Sequence, residues 1–132
     1  MTRFIIVLVL ATALISLASI EQIFIRNTYS KLKTDTEALY TTLNVPDATS
    51  PIDTQENRNK IDEIYKYWLR KERTLCLVAR HIELANISDA IIYARNFIHF
   101  DNREEACAGL ARLIYLIDAH KYNVGTSIQN VI

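Results

Sequence analysis

The sequence predicts an all-α protein in which an N-terminal transmembrane helix continues into an antiparallel bundle of about four helices. Residues 4–25, FIIVLVLATALISLASIEQIFI, are almost wholly apolar. The 132 residues include only two glycines and two prolines, and both prolines, Pro46 and Pro51, fall in one stretch. The rest of the chain carries apolar side chains at spacings of three, four and seven. Few glycines and prolines leave few places to turn sharply, so the segments between turns are long helices. Each apolar stripe is half a core until it packs against another, which favours a bundle.

The first helix starts in the apolar segment. From Phe4 to Ile20 no residue is charged, and Thr12, Ser16 and Ser19 can bond back to the preceding helical turn. A helix over residues 4–25 is about 33 Å long, against about 30 Å for a bilayer core, with Glu21 and Gln22 near one interface. A buried helix of a soluble protein normally shows a polar stripe, and residues 4–11 have none. A signal peptide cut before Ser19 is the rival, because Arg3, the apolar run and the small residues Ser16 and Ala18 suit one. The run is longer than such regions usually are, and apolar character resumes after the candidate site. A retained anchor over residues 1–25 and a helical domain over residues 26–132 are therefore expected. Orientation is contested: Arg3 precedes the span and Arg26, Lys31 and Lys33 follow it, which favours a cytoplasmic domain, but the rule weakens for long translocated domains.

Tyr29, Leu32, Leu39 and Leu43 extend the first helix beyond the anchor until Pro46, whose ring disfavours helical geometry at Val45. Asp53 or Thr54 can cap the second helix, with Glu56 and Glu63 in its early turns. Its stripe is Ile61, Ile64, Trp68, Leu75, Val78, Ile82 and Ala85, with Lys71 the polar intruder. Such a seam needs a partner helix, and a parallel homodimeric coiled coil through residues 54–85 is the alternative to the bundle. The pattern continues through Leu84, Ile87, Ile91, Ala94 and Ile98, with a boundary expected near Asn86 and Ser88. Asp101 or Asn102 caps the last helix, Glu104 and Glu105 favour its positive end, and Ala106, Leu110, Leu113 and Ile117 line one face. That helix is expected to fray by Asn123 and Gly125.

Charge and composition exclude more than they indicate. Fifteen basic and fifteen acidic residues make the chain neutral, which disfavours nucleic-acid binding. The densest basic stretch, KYWLRKER (Lys66, Arg70, Lys71, Arg73), is interrupted by Glu72 and follows Asp62 and Glu63. It reads as a solvated helix face, or as a contact for anionic lipid head groups if that face reaches a membrane.

The candidate polar residues are His81, Glu83 and Asp89. On a helix His81 and Glu83 lie about 200° apart and do not face one point, so a metal or acid–base site is disfavoured against a hydrogen-bonded structural histidine. His99 and His120 come from other helices. Trp68 is the candidate packing anchor. Cys76 and Cys107 have no zinc-like spacing and read first as buried thiols, with a disulfide between two helices as the alternative. Glycines only at 109 and 125 allow no phosphate-cradling loop, and no nucleophile elbow is present. No enzyme activity, cofactor or metal is expected; His81 with Glu83 and Asp89 is where a hidden activity would lie.

The order of an N-terminal membrane segment, Trp68 in a basic helix, the His81-x-Glu83 pair, Asp101 before a final helix and the ending Asn130–Ile132 resembles the domain of unknown function 4363 family of spore-forming Gram-positive bacteria. The likeness covers nearly the full chain. A tryptophan often found at the start of the second helix is missing from TQENRNKIDEIY. The resemblance implies a membrane-anchored, exported helical domain with no assigned activity. The expected role is an interaction or structural module of the cell envelope, with the membrane, an unidentified protein and other copies of itself as partners. The alternatives are a cytoplasmic-facing adaptor resembling tetratricopeptide repeats, and a bundle that binds a small ligand or lipid.

Overall fold

A computed structural model describes residues 1–46 and 49–129, with the backbone alone for residue 2 and residues 123–129. Four helices follow in order: α1 (Thr2–Leu43), α2 (Gln55–Leu75), α3 (His81–His99) and α4 (Arg103–Gln129). Consecutive helices run antiparallel; α1 packs on α2 and α4, and α3 packs on α2 and α4, so the bundle is square in section.

The first helix is continuous over 42 residues, about 63 Å of helical rise. Every side chain described from Arg3 to Glu21 is exposed, and this part is long and apolar enough to cross a membrane. The hydroxyls of Thr12, Ser16 and Ser19 donate to carbonyls three or four residues back, so they expose no unsatisfied donor there. Burial starts at Gln22, and Ile25 already belongs to the bundle core. The apolar triplet Ile23–Ile25 is thus divided: Ile23 is exposed and Ile25 is buried. Below it Tyr29, Leu32, Leu39 and Leu43 form the buried stripe, and Thr36 fills the gap by donating to the Leu32 carbonyl at 2.7 Å. The helix stops at Leu43, with the Asn44 N–H bonded to the Tyr40 carbonyl, just before Pro46.

Thr54 caps α2, its side chain accepting from the Asn57 N–H. Asp53 instead pairs with Arg58. Ile61, Ile64, Trp68 and Leu75 are buried against α1 and α3, so one chain alone satisfies the seam that could have paired two. Lys71, at the polar position of the stripe, lays its stem over the core edge and holds Nζ 5.1 Å from the Phe24 ring centroid.

The boundary after α2 differs from the expected one. The second helix ends at Leu75 and the third begins at His81, so the chain turns at 76–80 and not near Asn86 and Ser88. Val78 and Ile82, expected in the seam, are exposed, and Asn86 and Ser88 sit inside α3. The physical reason is phase: Leu75 and Leu84 are both buried, yet nine residues along one helix would put them about 180° apart. Only a turn between them lets both face the core.

At the opposite end Asp101 adopts φ 54°, a left-handed conformation that Asp tolerates. There its Oδ1 accepts from the backbone N–H groups of Ile52 (2.6 Å) and Asp53 (3.1 Å). The Arg103 guanidinium donates to the carbonyls of Leu43 and Ser50. The two far loops are stitched together by these bonds. Asn102 caps α4 by accepting from the Glu105 N–H, and Ala106, Leu110, Leu113 and Ile117 are buried as the spacing predicts. The last helix runs on to Gln129, past the Asn123–Gly125 end expected from sequence. The Asn130–Ile132 ending lies outside the described residues.

Candidate functional site

The antiparallel order brings one aromatic or polar residue from each helix to the end where the apolar part of α1 leaves the bundle. Tyr29 of α1 lies between Trp68 of α2 and His120 of α4, with ring centroids at 6.5 Å and 6.1 Å and interplanar angles of 26° and 21°. Glu83 of α3 closes the layer, its Oε2 3.2 Å from His120 Nδ1. Trp68 and Tyr29 are fully buried and His120 nearly so.

Each residue is there for a local reason. Trp68 and Tyr29 occupy stripe positions of α2 and α1, and His120 stands three residues after Ile117, where the α4 stripe calls for another apolar side chain. The indole N–H finds a partner, as a buried tryptophan's must: Trp68 Nε1 donates to Ser88 Oγ at 2.7 Å. The Ser88 hydroxyl in turn donates a hydrogen bond to Glu72 Oε1 (2.9 Å) or to the Leu84 carbonyl (3.1 Å). Glu72 is thereby drawn to the α2–α3 groove and away from the basic residues around it.

Burial pushes the Tyr29 hydroxyl up to about 12, and the Glu83 carboxylate adds to the effect in the same direction. Tyr29 is therefore a neutral phenol at any physiological pH. The His120 ring nitrogens make no hydrogen bond to any described residue: Glu83 is within ion-pair distance but off the N–H direction. The arrangement joins all four helices in one layer and places the His120 imidazole in the interior. Among the described residues no three His, Cys, Asp or Glu side chains converge as metal ligands.

The residues singled out from sequence are dispersed differently. His81 is exposed at the first position of α3, Glu83 turns inward to His120, and Asp89 is exposed on the outer face of α3. The trio therefore shares no site, and the constellation is Tyr29, Trp68, Glu83 and His120. His99 lies in the last turn of α3, at the far end. Cys76 and Cys107 are free: Cys76 opens the turn after α2, whereas Cys107 lies near the start of α4 at the other end. Helical rise alone puts on the order of 20 Å between them, beyond the reach of a disulfide. Burial raises the Cys107 thiol above its usual range.

A family model described as Domain of unknown function (DUF4363) matches residues 24–131. That match begins where burial in the bundle begins and leaves out the exposed apolar part of α1. No curated protein and no solved structure matches the chain.

Proposed function

The chain belongs to the domain of unknown function 4363 family, and from that premise we propose that it is a membrane-tethered interaction or structural module of the cell envelope. The observation that carries the reading is the undivided α1: its exposed apolar part has no place in the bundle, yet it continues without a break into the stripe that the other three helices require. A tether built this way has no flexible linker. The bundle is held close to the bilayer and upright relative to the span. Its helices provide a well-packed scaffold, and its chemistry is that of a protein that binds and positions, not one that turns over a substrate. The protein partner is recognised by the outer faces of the bundle, on the extracytoplasmic side.

The opposite orientation is favoured by one observation, the three basic residues Arg26, Lys31 and Lys33 after the span against Arg3 before it. In that case the α3–α4 hairpin serves as a cytoplasmic adaptor. A cysteine placed at exposed Glu104 in a Cys76→Ser/Cys107→Ser chain, treated with a membrane-impermeant maleimide on intact cells, separates the two. Labelling before lysis supports the envelope reading, and labelling only after lysis replaces it with the adaptor. Recovery of the protein in the aqueous fraction after carbonate washing, with a mature N-terminus at Ser19, would remove the tether itself.

A further inference from the structure

We infer that the α2–α3 turn (Cys76–Arg80), with the first turn of α3, is a second membrane contact that seats in the head-group layer beside α1 and takes anionic phospholipid. The inference rests on α1 being the membrane span.

Position comes first. In an antiparallel pair, each step towards the N-terminus of α1 matches a step towards the C-terminus of α2. Tyr29 stacks on Trp68, Lys31 Nζ lies 5.2 Å from the Tyr67 ring centroid, and Lys71 Nζ sits over Phe24. Carrying that register onwards brings Leu77 and Val78 level with roughly Ser19 to Glu21. This is where the apolar run of α1 gives way to Glu21 and Gln22, the polar pair that marks the water interface. The turn therefore does not look out into solvent far from the bilayer; it reaches the depth at which the span enters it.

The side chains at that depth suit an interface and not water. Leu77 is 84% exposed and Ile82 69%, and Val78 beside them is also exposed. Outside the apolar segment of α1, the other large exposed aliphatics among the described residues, Val45, Leu69 and Ile92, lie elsewhere on the bundle. Three aliphatic side chains gathered at the turn have no core to join, since Leu75 and Leu84 already fill it.

Charge selects the kind of lipid. Arg70, Arg73 and Arg80 are exposed around the turn, and among the described residues none of them stands in an ion pair. The acids at this end are Glu21, Glu72 and Glu83; Glu72 is engaged by Ser88 and Glu83 faces His120. With Arg26 and Lys71 at the same end, five basic side chains stand against these three acidic ones, so a chain that is neutral as a whole presents an excess of positive charge at the level of the phosphates, around side chains that can enter the acyl boundary. Arginine forks fit phosphate oxygens bidentately.

The test uses the full-length chain, Cys76→Ser/Cys107→Ser, with one fluorophore-labelled cysteine at Leu77, Leu14 or Glu104, reconstituted into vesicles of phosphatidylcholine with or without phosphatidylglycerol. Helicity of each variant is matched to the parent by circular dichroism, and Ile82→Cys gives a second readout should Leu77→Cys misfold. In anionic vesicles the label at 77 is expected to be quenched by lipid spin-labelled near the head group and shielded several-fold from aqueous iodide. The label at 14 is quenched by deep spin-labels and the label at 104 by iodide alone. Arg70→Gln/Arg73→Gln/Arg80→Gln, or high salt, is expected to return position 77 to iodide access.

Free iodide access at 77 with deep quenching at 14 overturns this inference and leaves the tether standing. Iodide access at 14 overturns the tether. Equal shielding at 77 in neutral vesicles, or in the triple-Gln variant, overturns the assignment to anionic head groups. Shielding from iodide without any quenching by lipid overturns the membrane contact in favour of a protein cover.

Discussion

Replacing Trp68 by Phe tests whether the four-helix layer around Tyr29 holds the bundle together. The change removes three heavy atoms from a fully buried ring, worth about 2 kcal/mol at roughly 0.8 kcal/mol per buried methylene-sized group. It also removes the indole donation to Ser88, worth about 1 kcal/mol net. A loss of about 3 kcal/mol is a large part of the roughly 5–15 kcal/mol that stabilises a domain. At about 4 °C per kcal/mol for a bundle of this size, Tm should fall by roughly 12 °C. Ellipticity at 222 nm of the full-length chain in detergent micelles follows the transition; the apolar part of α1 stays helical in the micelle, so only the bundle's share of the signal melts. Ser88→Ala alone and together with Trp68→Phe completes a double-mutant cycle, with an expected coupling of about 1 kcal/mol through the shared hydrogen bond. A Trp68→Phe shift of under about 3 °C, or strictly additive single changes, would refute the role given to this layer.

The other predictions concern single contacts. Gly109→Ala puts a methyl 2.9 Å from Tyr93 Cδ1, which can move, and 3.1 Å from Ala94 Cα, which cannot. Overpacking of about 1–3 kcal/mol outweighs the roughly 1 kcal/mol gain in helix propensity, so Tm should fall by several degrees, and a rise would contradict the close α3–α4 approach. Tyr29→Phe should delete, from the tyrosinate absorbance titration at 295 nm, the tyrosine that ionises at about 12. Because its folded pKa lies above the unfolded value of about 10, Tyr29 leaves stability unaffected below pH 10 and erodes it between about 10 and 12, by about 2–3 kcal/mol in all. The alkaline limit of the Phe variant should accordingly lie higher, and identical alkaline melting of the two chains would contradict it. Asp101→Ala loses two hydrogen bonds and leaves Ala at φ 54°, about 2–3 kcal/mol together, with faster amide exchange at Ile52 and Asp53 as the local sign.

Much of the fold was legible because the buried stripes are regular. Ile61, Ile64, Trp68, Ala106, Leu110, Leu113 and Ile117 were read from spacing and are all buried. The α2–α3 turn was missed because its residues, Cys76–Arg80, include no glycine, proline or asparagine. Val78, Ile82 and Ala85 happen to continue the heptad, and a solvent-facing aliphatic looks the same in sequence as a core one. The change of phase between Leu75 and Leu84 was the available signal. The site was less legible. Trp68 stood out as the lone tryptophan, but Tyr29 read as one stripe residue among several, and Ser88 read as a helix breaker. Glu83 was noticed beside His81, its neighbour in sequence, whereas its neighbour in space is His120, 37 positions away. A histidine on the α4 stripe three residues after Ile117 marked the place, and only tertiary packing could name its partner.

The missed turn has a cause that bears on the proposed membrane contact. Periodicity reports which side chains avoid water, and it does so identically whether they are covered by protein or by lipid. In the apolar part of α1 the run is long and apolar enough to cross a bilayer, and the bundle leaves it exposed. At Leu77, Val78 and Ile82 the run is too short to carry such information. Their exposure becomes meaningful only once antiparallel packing has set them level with Glu21. The same packing brings Tyr29, Trp68, Glu83 and His120 into one layer directly behind the turn. A rigid layer there holds the turn at a fixed height on α1, which a second contact with the bilayer requires. Loosening the layer by Trp68→Phe should therefore weaken lipid quenching at position 77 while leaving the deep quenching at position 14 unchanged. If both signals stay at parent levels while the bundle loses its 12 °C, the layer serves stability alone and the height of the turn is set by its own side chains.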